Sequence, residues 1–209
     1  MSTPASDVRR LVPAALVAML TLVGTTSCSG DDEPKPSGTP SPSATPLSAI
    51  DTTALVVRRE EICPKLGTEA VEAALGSSDH SNTSYENGDT AQLTPEVKDV
   101  AHEYGCTWES ADGRVARAWV FAPPTTPQQA RQLRRDALRP GCAAARRVDF
   151  GSISVTTRCG TRKTVEEGYY GLFGDAWLSC TLADPKPESE DLTERADDWC
   201  GAVALAAAS

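Results

Sequence analysis

The sequence predicts an α+β domain: an antiparallel β-sheet built from hairpins, with helices packed on one face and three disulfides. Three observations lead there. Alternating apolar and polar stretches come in pairs joined by Gly-containing turns, Tyr104 to Trp108 with Arg114 to Ala122 and Lys163 to Tyr170 with Ala176 to Leu182, as half-buried hairpins do. Segments of helical period lie between and after them, with their own start and stop residues. Six cysteines (Cys63, Cys106, Cys142, Cys159, Cys180 and Cys200) are spread through a chain that begins with an export-like segment, and such an even set reads as crosslinks.

Taken in chain order, Cys63-Pro64 opens a short helix with Thr68 as N-cap, Glu69 to Leu75 as body and Gly76 as stop. Ser77 to Thr90 is polar throughout and reads as a mobile surface loop. Thr94-Pro95 starts another helical turn through Val100, with Pro at the first helical position. The first hairpin follows, turning at Ala111-Asp112-Gly113. Thr126-Pro127 then begins a helix to about Leu138, with Ala130, Leu133 and Ala137 on one face and Arg131, Arg134, Arg135 and Arg139 on the other. Ser152 to Arg158 alternates Ile153 and Val155 with hydroxyl residues and reads as a strand exposed on one side. After the second hairpin, a helix from about Ser189 to Ala206 repeats Leu192, Ala196, Trp199, Cys200, Val203 and Ala207 at helical spacing. Trp119 stands 23 residues before Cys142 and Trp177 stands 23 before Cys200, an internal echo consistent with two hairpin-plus-helix halves.

Residues 1–27 read as an export signal, with Arg9 and Arg10 ahead of an uncharged run from Leu11 to Val23. That run is shorter than the roughly 20 residues a membrane-spanning helix needs. The small residues Gly24-Thr25-Thr26-Ser27 leading into Cys28 resemble the bacterial lipobox, although Thr25 stands where leucine, valine or isoleucine is preferred. The resemblance implies cleavage before Cys28 and a thiol carrying diacylglycerol, palmitate among its acyl chains. Each buried CH₂ would contribute about 0.8 kcal/mol to membrane anchoring. Residues 28–50 then form a lipidated cysteine and a Pro/Ser/Thr-rich stalk with little to bury, and 51–209 form a single extracytoplasmic domain. The expected location is the outer face of the cytoplasmic membrane.

Six cysteines allow 15 pairings, and sequence does not choose among them. The preferred set joins nearest neighbours, Cys63 with Cys106, Cys142 with Cys159 and Cys180 with Cys200, each loop contributing about 3 to 4 kcal/mol through the unfolded state. A zinc site is disfavoured because its ligands come in close pairs, whereas the shortest spacing here runs from Cys142 to Cys159. No metal and no cofactor are expected.

The chain holds two histidines, His80 and His102, and neither stands in a marked catalytic pattern. G-x-S-x-G, H-E-x-x-H, P-loop and G-x-G-x-x-G sequences do not occur. Without the signal, which holds Asp7, Arg9 and Arg10, the chain carries 18 Lys plus Arg against 28 Asp plus Glu, which disfavours general nucleic-acid binding. Against that acidity, Arg131 to Arg147 holds six Arg and one Asp. This run is a candidate anion contact through Arg131, Arg134, Arg135 and Arg139, or else a structural counterpart of the acids that open the last helix, Glu188, Glu190, Asp191, Glu194, Asp197 and Asp198.

The lipobox, the stalk, the early Cys63-Pro64 and the Gly105-Cys106-Thr107-Trp108 hairpin start together resemble a family of small actinobacterial lipoproteins of unknown function. More distantly, the layout resembles the extracytoplasmic sensor domains of bacterial serine/threonine kinases. The resemblance implies a sheet-and-helix domain outside the membrane and carries over no catalytic residue. The expected function is a non-enzymatic module, anchored in the membrane through Cys28, that binds a small ligand or an envelope protein. The alternatives are a wall-glycan hydrolase using paired carboxylates and a sensor or accessory subunit of an envelope complex.

Overall fold

The structure, a computed structural model, describes residues 45–94, 97–145, 149–185 and 191–209. Among the described residues, nine strands and three α-helices follow one another as α1 (Thr68–Leu75), β1 (His80–Tyr85), β2 (Thr90–Thr94), β3 (Val97–Val100), β4 (Glu103–Ser110), β5 (Val115–Phe121), α2 (Pro127–Asp136), β6 (Cys142–Ala144), β7 (Ser152–Gly160), β8 (Val165–Phe173), β9 (Ala176–Asp184) and α3 (Leu192–Ala208). Seven of the strands form one sheet in the order β1-β4-β5-β9-β8-β7-β6, and every neighbouring pair is antiparallel. The α+β class, the two hairpins and the three disulfides are as the sequence predicts. The tight β8–β9 turn uses Gly174 at φ 65°, a conformation costly for any residue with a Cβ.

The main core lies on one face of this sheet. Ala116, Ala118 and Val120 of β5, with Leu178, Cys180 and Leu182 of β9, point into a layer formed by α1, α3 and the segment before them. The helical period read in α3 is realised: Leu192, Ala196, Trp199, Cys200, Val203 and Ala207 are all buried. Trp199 meets Trp108 edge to face at 5.4 Å between ring centroids, a geometry favoured by the ring quadrupoles.

Two disulfides bolt this helical layer to the sheet. Cys180 of β9 joins Cys200 of α3, and Cys106 of β4 joins Cys63, in a 3-10 turn just before α1. The third joins Cys142 and Cys159, which face each other across the β6–β7 ladder.

The expectation of helices on one face is corrected: α1 and α3 share one face, whereas α2 covers the opposite one. Ala130, Leu133 and Ala137 settle there on Val155, Tyr170, Leu172 and Trp177 because alternate residues of β7, β8 and β9 present a second, smaller apolar cluster. This placement also ends the internal echo: Cys142 lies in a strand and Cys200 inside a helix, so the two intervals are not equivalent halves.

Several local expectations are corrected. The polar stretch 77–90 contains strand β1, because β4 supplies a complete hydrogen-bonding ladder from His80↔Ser110 to Tyr85↔Gly105. In place of the predicted helical turn, Val97–Val100 pairs with β2 as a two-stranded ribbon, while Pro95 and Glu96 lie outside the described residues. Thr68 is the first residue of α1, and Gly67 is its N-cap. The stalk boundary also moves: Leu47, assigned to the stalk, is 1% exposed, and Thr45 to Ile50 lies against α3 where Gly201 leaves room for it. Leu47 and Ile50 are apolar groups that α3 can cover, which draws their segment into the fold. The signal segment, Cys28 and the stalk up to residue 44 lie outside the described residues. Among the described residues no helix is long and apolar enough to cross a membrane.

Candidate binding groove

A groove of about 370 Å³ opens between α1 and the β1 edge of the sheet. Its floor is Trp108 and the Cys63–Cys106 disulfide, its wall is Pro64, Leu66, Thr68 and Val71, and its rim is the β1 residues His80, Asn82 and Ser84. Asn82 stands opposite Trp108 and Ser84 opposite Cys106 in the ladder, so both rim side chains share the floor's face. The volume falls within the range of ordinary ligand sites, and the lining combines an apolar floor with hydroxyl and amide groups able to orient a bound molecule.

The wall is held from behind. Arg114 Nη1 donates to the carbonyl of Leu75 at 2.9 Å and Arg195 Nη1 to that of Ala74 at 2.7 Å, so two cations satisfy the last carbonyls of α1 and complement its dipole. Asp184, 1% exposed, accepts from both guanidiniums, from Arg195 at 2.7 Å and Arg114 at 3.3 Å. This cluster was not anticipated from sequence. Arg114 and Arg195 are ordinary surface types, and only the meeting of the end of β9, the start of β5 and α3 brings them to one carboxylate.

The outer edge of β1 is open: among the described residues no strand pairs with it on the side away from β4. On the sheet face opposite the groove, Tyr85 lies across Gly105, where a Cβ would come within 2.3 Å of the Tyr85 ring. The Tyr85 hydroxyl donates to Glu103 Oε1 at 2.6 Å. Burial raises the Glu103 carboxyl above its ordinary value, against the Tyr85 hydrogen bond, which lowers it. Burial, then Glu103, pushes the Tyr85 hydroxyl up. At the end of β1 the exposed Glu86 carboxyl is raised by a hydrogen bond with the neighbouring carboxyl of Glu61 and the repulsion between them.

The other site candidates separate. Arg131, Arg134 and Arg135 stand exposed on α2, with Arg135 donating to Gln132. Arg139 lies beyond the helix end and ion-pairs with Glu166 of β8 at 2.9 Å. These arginines do not meet the acids of α3, because the two helices occupy opposite faces. Instead, Asp191 pairs with Arg195, and Asp197 accepts from the Tyr169 hydroxyl. Arg146, Arg147, Glu188 and Glu190 lie outside the described residues. His80 sits on the groove rim with Nδ1 out of solvent contact and unpartnered among the described residues, and His102 precedes β4 beside Glu103. Among the described residues no group of three or more metal-ligating side chains converges.

The chain matches no protein-family model and no curated protein. Among solved structures it is similar to a GTP binding regulator from Thermotoga maritima, at 6% sequence identity and a TM-score of 0.34, over 68% of this chain and 87% of that one. A likeness at that level transfers no property to this chain.

Proposed function

We propose that this chain is a non-enzymatic binding module of the cell envelope, tethered on the outer face of the cytoplasmic membrane through lipidated Cys28. The observation that supports binding is the groove: a preformed site floored by a tryptophan and a disulfide, with its wall locked by the Asp184 cluster. A site held rigid before binding loses less entropy when it is filled. The anchor rests on the sequence alone, on Cys28 after a small-residue run and ahead of a Pro/Ser/Thr-rich stalk.

The Glu61 and Glu86 carboxyls, which touch each other, do not match the glycan-hydrolase alternative. A glycosidase pair stands about 5 to 9.5 Å apart across a bound sugar.

Site-directed photocrosslinking from Ser84 in membranes should give a discrete, saturable adduct. Asn82→Trp, which fills the groove, should remove the adduct while the melting temperature stays within a few degrees. Cys28→Ser should move the protein from the membrane pellet to the soluble fraction. Indifference of the adduct to Asn82→Trp, or robust turnover of purified wall glycan, would reject the reading.

A further inference from the structure

We infer that the occupant of the groove is a basic, extended peptide segment that adds to the open edge of β1 as a further strand. This rests on the proposed reading that the groove is a binding site, and two independent features of the structure carry it.

The first is the backbone. β1 runs over six residues, His80–Tyr85, and among the described residues is hydrogen-bonded on one side alone, so every second residue presents its N–H and C=O outward. An added strand of matching length spans about 20 Å. Its side chains would alternate, one set entering the groove beside Asn82 and Ser84 and the other lying outside. Strand addition of this kind draws affinity from the ladder and selectivity from the pockets beside it.

The second feature is charge. α1, the stretch 77–90 and β4 contain no Lys or Arg at all. They contain Glu69 and Glu72 on the groove wall helix and Asp79 and Glu86 flanking β1, with Glu109 exposed on the other face of β4; Lys65, between the wall residues Pro64 and Leu66, is paired with Glu60 at 2.8 Å. A second copy of this chain would bring the same acidic edge and be repelled, as would an anionic polymer. Neutral glycans carry hydroxyl donors and acceptors but not the backbone N–H and C=O groups at strand spacing that the edge pairs with. A peptide rich in Lys or Arg satisfies both the ladder and the field.

The test uses the full-length chain in detergent and three blocked, fluorescent octapeptides: Lys-Thr-Lys-Val-Lys-Thr-Lys-Val, the same sequence N-methylated at alternate residues, and the sequence with Glu for Lys. The basic peptide should bind saturably and protect the amides of residues 80–85 from exchange. N-methylation, which keeps charge and removes donors, should weaken binding at least tenfold, and the acidic peptide should bind at least tenfold more weakly. Glu86→Gln with Glu109→Gln should weaken the basic peptide several-fold at low salt, an effect that 0.5 M NaCl removes. Equal binding of the N-methylated peptide, equal binding of the acidic one, or protection elsewhere than β1 would overturn strand addition. If no peptide binds while the Ser84 adduct still forms and still responds to Asn82→Trp, this inference fails and the binding-module reading stands. If the adduct is absent too, both fail.

Discussion

Replacing Asp184 with Ala should detach the α1 wall of the groove and cost about 3 kcal/mol of stability. The carboxylate is 1% exposed and faces two guanidiniums whose side chains are 19% and 15% exposed. At an effective dielectric near 20, contacts of 2.7 and 3.3 Å correspond to roughly 5 to 6 kcal/mol each in gross attraction, most of it cancelled by the cost of dehydrating the three charges. Removing one partner from a buried pair typically costs about 3 to 5 kcal/mol, because the other charge stays buried. The lower end applies here, since Arg114 keeps Asp112 at 3.1 Å and Arg195 keeps Asp191 at 2.9 Å, both carboxylates well exposed. For a domain of this size that loss lowers the melting temperature by about 6 to 12 °C. Urea unfolding at neutral pH with the disulfides intact measures it, and hydrogen exchange across residues 68–75 should accelerate in step. A loss under about 1 kcal/mol, the value of an exposed ion pair, would refute the reasoning. So would a cost that largely disappears in 0.5 M salt, because buried pairs are weakly screened.

Removing the Cys180–Cys200 bridge by a double Ala substitution should cost about 3 kcal/mol, and removing Cys63–Cys106 about 4, because the bridged separations are 20 and 43 residues. Urea midpoints in the reverse order would count against an unfolded-state origin. Glu103→Gln should raise the unfolding midpoint at pH 7. The folded carboxyl titrates above its ordinary 4.5, so the native state binds its proton more tightly, and stability present below that value is lost as pH rises through the raised one. Wild type and variant should therefore converge below about pH 4, and a constant gap across pH would contradict burial as the cause. Gly105→Val should displace Tyr85 and cost about 1 to 3 kcal/mol, read by denaturation together with faster exchange of the residue 80–85 amides.

The elements legible in the sequence are those whose own residues carry the pattern. The β4–β5 and β8–β9 hairpins show alternation around their turns, α3 repeats six buried residues at helical spacing, and the nearest-neighbour cysteine pairing is the one the fold adopts. β1 was illegible for a physical reason. His80-Ser81-Asn82-Thr83-Ser84-Tyr85 has almost no apolar residue to alternate, and its extended state is imposed by the ladder from β4. The candidate groove was hidden with it, since its rim is that strand and its wall is fastened by residues far apart in the chain.

Sequence by itself determined the class of fold, the even set of six cysteines that crosslink it, and the acidity of the segments that became the groove's surroundings. These properties are local, written in periodicity, composition and cysteine count. Tertiary structure alone decided that α2 would cover the face opposite α3, that Arg114 and Arg195 would meet at Asp184, and that β1 would stand at the edge of the sheet formed by the described residues. Each of these depends on which strands become neighbours, and that is settled by packing and hydrogen bonding between residues dozens of positions apart.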